Sequence, residues 1–190
     1  DEDLSDDNAS TIRQKKVSDI KNRLSIINET EDAVFVSIHQ NHFTREKYSG
    51  AQVFYSKNDP LSQVLAEKIR FQLITVLQPD NTREIKQSGS EIYLLHHAKV
   101  PAVMVECGFL SNYNETQLLK NEEYQQKLAF TIAMGIIDFL NQTVRPTNKN
   151  YMLQFMDILD KVLTEVPIFR LKCNMSLEAV ETSYNAMRRN

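Results

Sequence analysis

Apolar positions change their spacing several times along this chain, and each change marks an element. From Thr11 to Asn28, Ile12, Val17, Ile20, Leu24 and Ile27 recur at roughly helical intervals among Arg13, Lys15, Lys16, Lys21 and Arg23, which predicts an amphipathic helix with a solvated basic face. The acidic residues 1–9 before it read as a solvated loop without chemistry, ending where Ser10 is placed to cap the helix. Ala33-Val-Phe-Val-Ser-Ile38 is a nearly continuous, β-branched apolar run, the pattern of a strand buried on both faces, and it ends in polar His39-Gln40-Asn41-His42. Gly50-Ala-Gln-Val-Phe-Tyr55 reads as a second strand. Asp59-Pro60 then opens a helix to about Leu77, broken by Pro79-Asp-Asn81. Ile92-Tyr-Leu-Leu95 is a further strand candidate, and Ala102-Val-Met-Val105 a stronger one that stops at Glu106-Cys107-Gly108. Helices over Asn114 to Lys120 and Glu122 to Leu140 follow, the second with Leu128, Ile132, Ile136 and Leu140 at four-residue intervals.

Strands that alternate with helices predict an α/β fold with a mostly parallel sheet flanked by helices on both faces. After Asn141 the character changes. Thr143-Val-Arg-Pro-Thr-Asn-Lys-Asn150 is a polar connector, and helical patterns over Tyr151 to Thr164 and Ser176 to Arg188 predict an extra helical C-terminal tail. The chain therefore divides into a domain over residues 1–141 and a linker with tail over residues 142–190. The apolar stripe Met152, Phe155, Met156, Leu159, Val162 and Leu163 is expected to pack back on a bare sheet face or to bind a partner helix.

Composition narrows the function classes. A chain of 190 residues with 42% hydrophobic content can bury a core, which excludes disorder throughout. The net charge of -3, from 22 basic and 25 acidic residues, gives no footprint for a polyanion, so nucleic acid is not an expected partner. Cys107 and Cys173 make neither a disulfide framework nor a thiolate metal site. No apolar run approaches the roughly 18 residues of a membrane span, and the acidic start is not a signal peptide, so an export signal is expected upstream of Asp1. With four glycines the chain has no room for a nucleophile elbow or a phosphate loop.

In an open sheet, polar residues at the carboxyl ends of parallel strands converge in a crevice. His39 and Glu106 occupy such positions. An imidazole as metal ligand and a carboxylate as proton carrier suit metal-assisted hydrolysis. Taken singly, each has a plainer reading, a hydrogen-bonded structural histidine and a surface or capping carboxylate. His42, His96 and His97 read as surface or structural residues, the last two in a connector where adjacent side chains diverge. Cys107 reads as a small buried hydrophobe turned away from Glu106, and Ser111 as a turn or cap residue.

Two segments carry a resemblance. Ser37-Ile38-His39-Gln40-Asn41 is similar to the Ser-Ile-His-x-Asn of the zinc-dependent N-acetylmuramoyl-L-alanine amidases, a family that includes cell-separation and spore-cortex amidases. Val100-Pro-Ala-Val-Met-Val-Glu-Cys-Gly-Phe-Leu-Ser-Asn112 resembles its Pro-x-Val-Leu-Val-Glu-x-Gly-Phe-Leu-Ser-Asn. The likeness covers about residues 1–141, with the basic pair Arg83 and Lys86 where the family has a substrate-side loop, and it is nearest in flavour to spore-cortex and germination-specific enzymes. It implies hydrolysis of the amide between N-acetylmuramic acid and L-alanine in peptidoglycan, with zinc as cofactor, His39 as a zinc ligand and Glu106 as the catalytic glutamate. Asn41 would support the ligands or the local structure, and Lys86 would face the substrate. A site of action outside the cytoplasm, in cell wall or spore cortex, and a protein activator are further implications. The family's first two ligands, a histidine and a glutamate, precede the stretch that matches residues 1–30. On that reading the chain as given is an N-terminally incomplete catalytic domain that binds zinc poorly, and the alternative is a metal-deficient wall-binding or regulatory module.

Overall fold

The computed structural model of the chain describes residues 3–143; the connector and tail expected beyond them lie outside the described residues. The first helix, α1, spans Ile12–Glu29. Its cap is Thr11 rather than Ser10: the Thr11 hydroxyl accepts the Gln14 amide at 3.2 Å while the Gln14 side chain accepts the Thr11 amide at 3.0 Å, a reciprocal box that satisfies two otherwise orphaned donors. Ser10 adds its own amide to the same Gln14 oxygen at 3.1 Å. The acidic stretch before it does not float free. Leu4 donates to Asp19 at 2.9 Å, Asp6 donates to Ser18 at 3.0 Å, and Asn22 donates to the Leu4 carbonyl at 2.7 Å, so the segment lies along α1. Of the apolar stripe only Ile27 is buried, and Ile12 is 76% exposed, so packing uses the C-terminal half of the helix.

Four strands form one sheet in the order β1-β4-β2-β3, with β1 Phe35–Asn41, β2 Gln52–Tyr55, β3 Lys86–Gln87 and β4 Ala102–Phe109. β1 and β4 run parallel, as do β2 and β3, but β2 and β4 are antiparallel, so the sheet is mixed. The apolar runs could not reveal this, because strand direction depends on the path of the connections rather than on the strand's own residues. β3 is an edge strand of two residues, too short to leave a periodic signature.

Helices flank both faces. On one side, α2 (Leu61–Gln72) and α5 (Glu122–Thr143) bury Leu65, Ile69, Ile132 and Phe139 against Val53, Val103, Val105 and Cys107. α2 continues to Leu77 through a π turn in which the Gln78 amide reaches the Leu73 carbonyl at 2.7 Å. On the other side, Ile27 of α1 and Leu95 pack with Ala102, Met104, Phe35 and Phe54. Leu95 belongs to a short helix, α3 (Tyr93–His97), where a strand was expected. Leucines favour helix over strand, the His96 amide bonds the Ile92 carbonyl at 2.9 Å, and the Asn58 amide caps the outgoing carbonyls of His96 and Ala98 at 2.8 and 3.0 Å. α4 (Tyr113–Lys120) follows β4 directly, capped by Asn112. No helix among the described residues is long and apolar enough to cross a membrane.

The main core rests on one close approach. A Cβ added at Gly135 of α5 would stand 2.5 Å from Ile69 Cα of α2, so these helices touch backbone to backbone. Gly135→Ala is expected to lower the free energy of unfolding by about 1–3 kcal/mol through overpacking, read from urea denaturation. An unchanged midpoint would show that α2 yields without cost.

Candidate active site

Register places the two candidate residues together. His39 of β1 and Glu106 of β4 are partners across the parallel pair, as are Ser37 and Met104. On the other flank of β4, Gln52 of β2 is the antiparallel partner of Glu106. Residues opposite one another on neighbouring strands project to the same face, so His39, Glu106 and Gln52 form one row across three strands. Two residues back along the strands lies the row Ser37, Met104 and Phe54, and Met104 and Phe54 belong to the small core under α1 and α3. The polar row begins where that cover ends. Neither strand stops at its candidate residue as the sequence suggested: β1 runs on to Asn41 and β4 to Phe109.

Beyond this row the register shifts. His39 faces Glu106, but Asn41 faces Phe109, so β4 carries one more residue than β1 between the two pairings. Such a bulge raises local twist and re-aims side chains. The end of β4 is then clamped by α4. The Glu115 carboxylate accepts the Phe109 amide at 2.7 Å and the Gly50 amide at 2.8 Å, tying β4 to the start of β2. Gly50 has a φ of 89°, a conformation that glycine adopts without steric cost. Ser111 and Asn112 hold the loop after β1: the Phe43 amide donates to the Ser111 hydroxyl at 3.2 Å, and the Asn112 amide donates to the Glu46 carbonyl at 2.9 Å. Ser111 thus serves as a loop anchor, in keeping with a role other than nucleophile.

The site's two ionisable groups are both held toward neutrality. The Glu106 carboxyl is half-buried, and desolvation raises its pKa above the usual 4.5. Its Oε2 is buried with no hydrogen-bond partner, one of two such side-chain atoms among the described residues, the other being Ser88 Oγ. Native proteins seldom leave such an oxygen unsatisfied unless a ligand, water or reacting group meets it. His39 is exposed as a residue, yet the surrounding protein still disfavours the imidazolium and lowers its pKa below 6.5. Its Nε2 lies 2.7 Å from Ser37 Oγ, a hydrogen bond whose direction depends on the tautomer.

The remaining sequence candidates separate. Asn41 ends β1, where its backbone carbonyl accepts the Leu110 amide at 2.7 Å. Lys86 is the partner of Phe54, which puts it on the same face as Glu106 but one row away, with Nζ 5.8 Å from the Phe54 ring centroid. Cys107 is buried in the α2 and α5 core, and its thiol is pushed up to about 12 by burial and then by the neighbouring Glu106 charge. His96 and His97 do not diverge as expected; within α3 their rings meet edge to face at 4.8 Å. Among the described residues no group of three or more His, Cys, Asp or Glu side chains could hold a metal ion. His39 is a fitting donor, but these residues alone do not complete the three-ligand set of a catalytic zinc.

Residues 3–138 match the sequence profile of the N-acetylmuramoyl-L-alanine amidase family. The chain belongs to that family. It is 31% identical over 150 residues to the germination-specific N-acetylmuramoyl-L-alanine amidase of Bacillus subtilis, a match covering 77% of this chain and 61% of that protein. Among solved structures it resembles the CwlD amidase of Clostridioides difficile, determined in complex with the GerS lipoprotein, with a TM-score of 0.69 and 43% identity over 74% of this chain and 71% of that one. An N-acetylmuramoyl-L-alanine amidase from Clostridium difficile 630 superimposes with a TM-score of 0.60 at 28% identity, over 65% of this chain and 66% of that one. The chain thus spans less than two thirds of the length of the Bacillus subtilis relative. Both structural neighbours support the α/β architecture read from the alternating pattern.

Gln52 and Glu115 escaped the sequence reading as site residues. Gln52 sits in an ordinary strand and acquires its place only through register with Glu106, and Glu115 looked like a simple helix start. Two outcomes follow for the metal-free protein. Because the folded state holds the Glu106 proton more tightly than the unfolded chain, this group's contribution to stability is present at low pH and is lost as pH rises through its folded pKa. Glu106→Gln should therefore melt with the wild type near about pH 4 and above it near about pH 8; a gap equal at both values would refute the desolvation. His39 acts in the opposite sense, its contribution being complete above 6.5 and falling as pH drops below that value. Glu115→Ala should cost about 2 kcal/mol or more by stranding the Phe109 and Gly50 amides, read by chemical denaturation.

Proposed function

We propose that this protein hydrolyses the amide bond between N-acetylmuramic acid and L-alanine in bacterial peptidoglycan, with Glu106 as the catalytic acid and base. The observation that carries the reading is the registered pairing of His39 and Glu106 on one face, with the Glu106 carboxylate partly desolvated and one oxygen unpartnered. A carboxyl whose pKa is raised is matched to taking and returning a proton near neutrality. Water attacks the lactyl carbonyl while Glu106 accepts its proton; the carbon–nitrogen bond then breaks as that proton passes to the alanine nitrogen, freeing a muramic carboxylate and a stem peptide with a new amino terminus.

Zinc dependence is part of the proposal through His39, whose lowered pKa favours the neutral, ligating imidazole. The described residues do not complete a zinc site, and both proton transfers belong to Glu106. Action in the cell wall, including the spore cortex, is part of the proposal, supported by the similarity to a germination-specific enzyme of Bacillus subtilis and to a cell wall amidase of Bacillus anthracis. A protein partner is also proposed, supported by the complex in which the Clostridioides difficile amidase was solved. Asn41 and Lys86 are proposed to line the substrate path at the rim of the site.

The test is release of stem peptides with free amino-terminal alanine from purified peptidoglycan, followed by mass spectrometry with the full-length protein. Glu106→Gln should reduce release by about 100-fold or more while leaving zinc content unchanged, and His39→Ala should lower zinc content as well as activity. Release by Glu106→Gln within a few-fold of wild type would overturn the assignment. Wall binding by the wild type without any release would establish the non-catalytic module instead.

A further inference from the structure

Resting on that reading, we propose that Arg83 is a specificity residue that binds a carboxylate on the peptide stem of the substrate, and so fixes which way the substrate lies across the sheet.

The Arg83 side chain is held on three sides. Its Nε donates to the Ser49 carbonyl at 2.7 Å, its Nη1 donates to Gln52 Oε1 at 3.2 Å, and its guanidinium carbon lies 4.6 Å from the Phe109 ring centroid. Its backbone amide is anchored to Asn81 Oδ1 at 3.0 Å. Every one of these partners is uncharged. No carboxylate among the described residues lies within ion-pair distance of Arg83, whereas Arg23 pairs with Asp19 at 2.8 Å and Arg70 with Glu84 at 2.8 Å. Its second terminal nitrogen, Nη2, makes no hydrogen bond among the described residues. The arrangement is a restrained, unneutralised cation with donors to spare, and a guanidinium fixed in this way matches a carboxylate in geometry as well as charge.

Position ties this cation to the chemistry. Gln52 is the register partner of Glu106, and Gln52 in turn touches Arg83, so one side chain separates the guanidinium from Glu106. His39 lies on the opposite flank of Glu106. The substrate's own charges then decide the orientation. The single carboxyl of N-acetylmuramic acid is consumed in the scissile amide, which leaves the sugar side neutral, while the stem peptide keeps free carboxylates. Consecutive stem residues are about 3.8 Å apart and neighbouring strands about 4.8 Å, so a carboxylate close behind the alanine falls over β2, on the side of Gln52 and Arg83, when the sugar lies toward β1. Lys86 offers a weaker alternative, since its ammonium is exposed and only a ring face restrains it.

The experiment uses the full-length protein and two ligands, an L-alanyl stem peptide with free carboxylates and the same peptide with those carboxylates amidated. Binding is measured by calorimetry, and turnover is measured on the matching muramyl peptides. Wild type should bind the free peptide roughly 10- to 100-fold more tightly than the amidated one. Arg83→Gln should lose that factor on the free peptide and show no further loss on the amidated one, with its effect on turnover falling on KM rather than kcat. Arg83→Lys, which keeps the charge without the fork, should recover part of the preference. Equal wild-type affinity for both peptides would overturn the proposal without any variant, as would a loss in Arg83→Gln that is the same for both. Because product-peptide binding needs no turnover, a wild type that binds selectively but releases nothing would refute the amidase reading and leave Arg83's role standing.

Discussion

Everything proposed for this protein depends on the register between β1 and β4. In a parallel pair a slip of one residue would turn Glu106 toward the opposite face and Val105 toward solvent, exchanging core and site. The slip is opposed because it would drive the Glu106 carboxylate into the α2 and α5 core that Val103, Val105 and Cys107 now fill. Backbone bonds lock both ends of the pairing, with the Phe35 amide on the Pro101 carbonyl at 2.8 Å and the Leu110 amide on the Asn41 carbonyl at 2.7 Å. Ser62 of α2 accepts the Ala102 amide at 2.9 Å, and Glu115 of α4 holds Phe109, so both helices hold β4 in place.

Against that rigid strand, the site itself is under-satisfied. Glu106 keeps a buried oxygen without a partner, and its surroundings disfavour the charged form. Neither feature stabilises the fold. Proteins tolerate such losses where function requires them and the rest of the structure over-determines the geometry. Here the tolerance comes from the large core beneath, where α2 and α5 touch across Gly135, and from the smaller one under α1 and α3.

The motif Gly108-Phe-Leu-Ser-Asn112 gains a physical meaning from this arrangement. Phe109 underlies both Tyr48, at 6.1 Å between ring centroids, and the Arg83 guanidinium. Ser111 and Asn112 tether the loop between β1 and β2, and Asn112 also caps α4 by accepting the Glu115 amide at 3.1 Å. One turn therefore shapes both rims of the site, the loop beyond His39 and the basic side near Gln52. The chemistry proposed for Glu106 and the recognition proposed for Arg83 share this support.

Local pattern was enough to read the long elements. The helix over Ile12–Glu29, the continuous apolar strand at Ala102, and the helix after Glu122 each follow from side-chain spacing that their own residues carry. Glu106 and His39 were legible as candidates through the wording of their segments, and the turn of Cys107 away from Glu106 into the core through simple alternation. The antiparallel course of β2, the helical state of Tyr93–His97 and the two-residue β3 were not, because direction, capping by Asn58 and edge pairing arise from contacts distant in sequence. The same limit hid Gln52 and the restraint on Arg83. A side chain's type is written at its own position, but the row it joins is decided by which strand lies beside it, and only the folded sheet sets that.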